Sequence, residues 1–178
     1  MELKQAQEIG ARIIEGLKPF CNRIEIAGSV RRLKPVVKDI EIVCIPKYTI
    51  GEINSTDLFG NSVLSQMAVY VSGFAKELKK YFIIKGKPTG KYIQFMAPEG
   101  INIDLFICTQ KNWGYIFSIR TGSAEFSHKV LANGWTKKGY TGKEGMLYKN
   151  GIAIQVLEER DLFRLIGLDY IEPDNREV

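Results

Sequence analysis

The chain is 178 residues long, 45% hydrophobic and 25% charged, with a formal net charge of +5 at pH 7. That is enough apolar chain for one compact domain, or for a domain with a small appended lobe, and the modest positive charge suits phosphate contacts. No apolar run approaches the roughly 18–20 residues of a membrane span, and the N-terminus lacks the unbroken apolar stretch of a secretory leader, so no membrane partner is expected. Three widely spaced cysteines, Cys21, Cys44 and Cys108, suit reduced core thiols of an intracellular, cytoplasmic protein better than disulfides or a zinc site.

Taken in chain order, Leu3, Ala6, Ile9, Ile13, Ile14 and Leu17 recur with helical spacing, and Pro19 ends that element. Two strands follow, Arg23 to Ala27 and Ile40 to Ile45, joined by a Gly-Ser-Val-Arg-Arg loop. Tyr48 to Asn61 reads as a polar connection and Val63 to Leu78 as a helix. Tyr81 to Ile84, Lys91 to Met96 and Ile101 to Ile107 read as a three-stranded meander, punctuated by Gly86, Pro88, Gly90, Pro98 and Gly100. Trp113 to Ile119 is a short helix, and Ser123 to Ala132 is another, capped by Ser123 and stopped at Asn133-Gly134. A hairpin through Asn150-Gly151 and a last helix from Glu158 to Ile166 complete an α+β chain, with a boundary near Ile119.

The chemistry concentrates at Gly28-Ser29-Val30-Arg31-Arg32 and at Asp39-Ile40-Glu41. A Gly-Ser turn leaving a strand brings backbone N–H groups close to an anion, and two arginines beside it can fork onto phosphate oxygens. Asp39 and Glu41 are two apart, so an extended strand points both to one face. Asp104, in a strand that otherwise turns apolar, is the candidate third carboxylate, because phosphoryl transfer through two metal ions uses a carboxylate clamp. Together these residues suit binding of a nucleoside triphosphate with Mg2+, for which Mn2+ can substitute.

The pattern resembles the palm and thumb of a family X DNA polymerase. Gly28-Ser29, Asp39-Ile40-Glu41 and Asp104 resemble the nucleotidyltransferase signature. Thr121-Gly122-Ser123, Phe126-Ser127 and Gly134-Trp135 resemble the start of the thumb. Glu158-Glu159-Arg160-Asp161-Leu162-Phe163, Gly167-Leu168-Asp169-Tyr170-Ile171, Pro173 and Arg176-Glu177 resemble the family's closing segment. The resemblance implies a nucleotidyltransferase palm over 1–118, a mixed β-sheet with helices packed on one face, and a small α+β thumb over 119–178. It implies that Asp39, Glu41 and Asp104 hold two Mg2+ ions and carry catalysis. Gly28, Ser29 and Arg32 would bind the triphosphate, with Arg31 either beside them or in a structural ion pair. Thr121, Gly122 and Ser127 would contact sugar and base of a dNTP.

Glu41 stands where these polymerases normally carry Asp, Ser127 where they carry Asn, and Ile119-Arg120 where they carry an aromatic pair beside the sugar. DNA contacts fall to Lys85, Lys87 and Lys91 at the palm turns and to His128 and Lys129 on the thumb. No lyase domain and no helix-hairpin-helix segment is recognisable. The expected protein is a monomeric, template-directed DNA polymerase acting on gapped or primer-template duplex. Alternatives are a nucleotidyltransferase modifying a small molecule, an RNA or a protein, and a non-catalytic DNA-binding relic.

Overall fold

The structure, a computed structural model, describes residues 1–56, 62–70, 72–87 and 90–177; residues 49–56, 62–70 and 72 are described by backbone alone. Helix α1 (Leu3–Leu17) leads into strand β1 (Cys21–Ile26), the short helix α2 (Gly28–Arg31) and strand β2 (Asp39–Pro46). A ribbon of β3 (Tyr48–Thr56) and β4 (Ser62–Tyr70) follows, then helix α3 (Ser72–Leu78) and strands β5 (Phe82–Gly86), β6 (Tyr92–Met96) and β7 (Asn102–Ile107). Five strands form one mixed sheet in the order β1-β2-β7-β6-β5. Strands β2 and β7 are parallel, and the other neighbouring pairs are antiparallel.

Ala6, Ile9, Ile13 and Leu17 make one buried stripe on α1, and Pro19 stands just beyond its end. With Phe74 and Leu78 of α3, that stripe packs on Ile40, Ile42 and Cys44 of β2, Ile93 and Phe95 of β6, and Ile103, Leu105 and Ile107 of β7. Strand alternation sends Asp39, Glu41, Val43 and Ile45 to the opposite face. Strand β2 therefore changes character along its length, with acids at the start and apolar residues at the end. Helix α4 (Trp113–Thr121) covers the apolar end: Trp113 and Phe117 pack with Val43, Ile45, Ala27 and Cys108. Helices thus lie on both faces of the sheet. This corrects the one-face arrangement, and its cause is the need to bury Val43 and Ile45.

The second lobe begins with α5 (Ala124–Phe126), which runs through a π-helical stretch, Ser127–Ala132, into α6 (Asn133–Lys137). Strands β8 (Thr141–Lys143), β9 (Met146–Lys149) and β10 (Ile152–Ile154) and helix α7 (Glu159–Ile166) complete it. Tyr115, Phe126, Leu131, Leu147, Val156, Leu162, Phe163 and Ile166 form its core. Ser123 caps as expected, its Oγ accepting from the Phe126 amide at 3.0 Å. The helix does not stop at Asn133-Gly134. A Cβ on Gly134 would lie 3.1 Å from Ile166, so this glycine admits α7 rather than ending a helix.

Two further expectations are corrected. Tyr48–Thr56 is a strand rather than a polar connection, while residues 57–61 lie outside the described set. The helix expected over Val63 to Leu78 is strand β4 followed by α3, with residue 71 also outside. The ribbon is in register from Tyr48↔Tyr70 to Thr56↔Ser62, and this cross-strand pairing overrides the helical spacing. Strand β8 went unread because its Gly142 resembles a turn. Pro88 lies outside the described residues. Among the described residues no helix is long and apolar enough to cross a membrane.

Candidate active site

The β2–β7 register decides the site. Asp39 pairs with Asn102 and Glu41 with Asp104 across parallel strands, so all three carboxylates share the face opposite the α1 core. Helix α2 abuts them from the β1 end. Gly28 has φ +59°, and a Cβ there would sit 2.0 Å from Glu41 Oε2, so both its backbone and its contact demand glycine. The Gly-Ser turn and the acidic pair are thus packed against one another, not merely close in sequence.

Burial, then the Asp39 charge, pushes the Glu41 carboxyl up to about 7. Burial and Asp104 raise Asp39 as well. Asp104 is held differently: its Oδ1 accepts from Tyr92 Oη at 2.7 Å and from Gln94 Nε2 at 2.9 Å. Burial and that bond push Tyr92 up to about 12. Neither Tyr92 nor Gln94 is marked by any sequence motif; Gln94 matters because the β6–β7 register sets it opposite Asp104. Arg120, from the last turn of α4, stacks 4.0 Å over Phe106 and draws the Glu41 pKa back down. Among the described residues no three acid, histidine or cysteine side chains converge as one ion-binding cluster. The donor chemistry nevertheless fits a divalent cation: hard oxygens alone, on one face, two of the three raised by burial and then by a neighbouring carboxylate charge.

On the other side of Asp39, Ser29, Arg32, Lys34 and Lys38 line a basic cleft. Ser29 Oγ is buried there without a hydrogen-bond partner. Arg32 donates from Nε to Glu177 and from Nη1 to the Thr121 carbonyl, both at 2.6 Å. Arg31 takes the structural role. It forks onto Glu159 at 2.9 and 2.7 Å, donates to Thr121 Oγ1 at 2.6 Å and stacks 3.9 Å over Phe117. Arg176, fully buried, also binds Glu159, and Tyr170 adds a hydrogen bond to the same carboxylate at 3.0 Å. Burial works against the Glu159 charge, and the two guanidinium groups overcome it to hold its pKa below the ordinary carboxylate value.

The expected sugar and base contacts are engaged internally. Thr121 is buried between the two arginines, and Ser127 Oγ donates to the Ile119 carbonyl at 2.8 Å. A Cβ on Gly122 would lie 2.7 Å from Phe126, so the turn into α5 is closely packed. Lys85 and Lys91 do reach the carboxylates' neighbourhood, lining a cleft of about 520 Å3 with Glu41, Asp104, Tyr92 and Arg120. Lys91 Nζ reaches across that cleft to the Glu144 carbonyl at 3.1 Å. Lys87 is exposed on the same turn. His128 and Lys129 are exposed on the π-helical stretch, away from this cleft's lining, with Lys129 paired to Glu125.

Comparison with known proteins bears on both lobes. Residues 118–177 match the family described as DNA polymerase beta thumb. DNA polymerase IV of Saccharomyces cerevisiae is 30% identical over 99 residues, which span 53% of this chain and 16% of that relative. The chain is thus similar to family X polymerases over its second lobe and over about half of its length, and it spans about a sixth of the relative it matches. The matched segment contains the Ser123 cap, the π-helical stretch and the Glu159–Arg176 pair, so only the second-lobe partners of Arg31 and Arg32 fall within it.

Proposed function

We propose that this chain is a template-directed DNA polymerase of the family X type, adding a deoxynucleotide to a primer 3′-hydroxyl across short gaps. The observation that carries the reading is the register setting Asp39, Glu41 and Asp104 on one face against Gly28-Ser29, in a chain whose residues 118–177 match a polymerase thumb. Asp39, Glu41 and Asp104 would hold two Mg2+ ions, with Mn2+ as substitute; when bound these neutralise phosphate charge and acidify the attacking hydroxyl. Tyr92 and Gln94 orient Asp104 through one oxygen, leaving its other oxygen for the cleft. Gly28 and Ser29 offer close backbone approach and an unpaired hydroxyl to the triphosphate, and Arg32 faces the charge that grows on the leaving pyrophosphate. The primer-template duplex runs along Lys85, Lys87 and Lys91, with His128 and Lys129 on the thumb side. Thr121, Gly122 and Ser127 shape the turn beside the nucleotide and act through that packing.

Nucleotide incorporation by Asp39→Ala and Asp104→Ala tests the reading. Each should fall by at least a thousandfold while the melting temperature holds, because two carboxylates cannot replace three. Substantial residual incorporation by either variant removes these residues from the chemistry. A nucleotidyltransferase using a small-molecule acceptor is the second reading, and the Asp-Ile-Glu arrangement favours it. Transfer to a hydroxylated small molecule with no extension of DNA would establish that reading instead.

A further inference from the structure

The basic cleft beside Asp39 already holds an anion, and the chain itself supplies it. Glu177 Oε1 lies 2.6 Å from Arg32 Nε and 3.1 Å from Lys34 Nζ. The Arg32 side chain is only 11% exposed, so its guanidinium has little room for a second partner on that edge. Ser29 Oγ, in the same cleft, stays buried and unpaired. The preceding residue anchors the segment independently: Arg176 Nε donates to the Ile171 carbonyl at 2.8 Å and its Nη1 binds Glu159. Burial works against the Glu177 charge, and Arg32 and Lys34 overcome it to hold its pKa below the ordinary carboxylate value. Glu177 is therefore ionised near neutral pH.

We propose that Glu177 is a resident competitor in this cleft, and that a polyphosphate enters by displacing its carboxylate from Arg32 and Lys34. The inference rests on reading Ser29 and Arg32 as phosphate contacts. A carboxylate and a phosphate use the same guanidinium edge. The polyphosphate brings more charge and more acceptor oxygens, including one for the Ser29 hydroxyl that Glu177 leaves unsatisfied. No covalent bond changes; one set of ion pairs replaces another. Glu177 belongs to the thumb lobe and Arg32 to the sheet lobe, so the exchange also removes a tie between them. By linkage, the factor by which Glu177 weakens the ligand equals the factor by which the ligand loosens Glu177. The Arg31–Glu159 pair is untouched, so the lobes stay joined.

The test is calorimetric titration of sodium tripolyphosphate in metal-free buffer at fixed ionic strength, into the wild-type chain, Glu177→Gln, Glu177→Ala and Glu177→Asp. Removing the carboxylate should tighten binding roughly three- to tenfold, the range two partly exposed ion pairs support. Glu177→Asp, which keeps the charge on a shorter arm, should fall between wild type and Glu177→Gln. Because Arg176 anchors the segment, melting temperatures should stay together. Unchanged or weaker binding in Glu177→Gln and Glu177→Ala overturns the proposal and makes Glu177 a residue that orients Arg32. Absence of binding in all four proteins overturns the phosphate reading of the cleft itself, and the inference falls with it.

Discussion

Glu41 sits where three constraints meet: a register that pairs it with Asp104, a glycine pressed against its carboxylate, and burial that lifts its pKa to about 7. Its folded value stands above the ordinary 4.5, so between those values the folded chain holds a proton that the unfolded chain has lost. The stability tied to Glu41 is therefore fully present below about 4.5 and is lost as pH rises through about 7. Glu41→Gln, which cannot ionise, should melt with wild type near pH 4 and above it at pH 8, by on the order of 3 kcal/mol at most. Melts in metal-free buffer check this; equal stability at both pH values would mean the carboxylate is solvated. Gly28→Ala tests the contact from the other side. Left-handed backbone and the collision with Glu41 should together cost about 1–3 kcal/mol in denaturant titration. No loss there would show that α2 can withdraw from β2. The acids themselves were legible from sequence, because an Asp-x-Glu pair shares a face on any strand. Tyr92, Gln94 and Glu177 were not: each matters only through a partner at least ten residues away, which spacing along the chain cannot reveal.

The lobes meet chiefly where α7 packs on α4, and Arg31 of α2 ties into that seam. Arg31 of α2 and buried Arg176 share the Glu159 carboxylate of α7, while Phe117 and Thr121 of α4 pack against Arg31. Removing the central acid strands two guanidinium groups, one of them fully buried. Glu159→Ala should consequently cost about 3–5 kcal/mol in chemical denaturation. A loss under 1 kcal/mol would mean that water or a rearranged Tyr170 satisfies the arginines. At this scale sequence reading succeeded where one signal dominated. The α1 stripe, the Ser123 cap and the hairpin through Asn150 and Gly151, both at positive φ, are set by local chemistry. It failed at β3 and β4, where antiparallel pairing overrode a short helical spacing, and at Gly134, where close packing on Ile166 imitates a stop signal.

For the molecule as a whole, the cleft between sheet and thumb hairpin is lined by Lys85, Lys91 and Arg120 together with Glu41 and Asp104. Duplex affinity should come from phosphate contacts, so it should fall steeply with salt, about 0.9 in log–log slope per phosphate neutralised. Replacing Lys85, Lys87 and Lys91 with Glu should flatten that slope for all sequences alike and leave tripolyphosphate binding within about twofold, because these lysines lie away from Ser29 and Arg32. An unchanged slope would move the DNA path elsewhere. The central claim is that the carboxylate face and the thumb together perform templated addition. Single-nucleotide extension of a primer on a one-nucleotide gap, with each dNTP in Mg2+ and with Asp104→Asn as control, tests it most directly. The wild-type chain should incorporate the complementary nucleotide and extend a single strand more weakly, and Asp104→Asn should lose incorporation by about a thousandfold or more. Incorporation that ignores the template base, or no extension of any DNA by a protein that still binds tripolyphosphate, would contradict it.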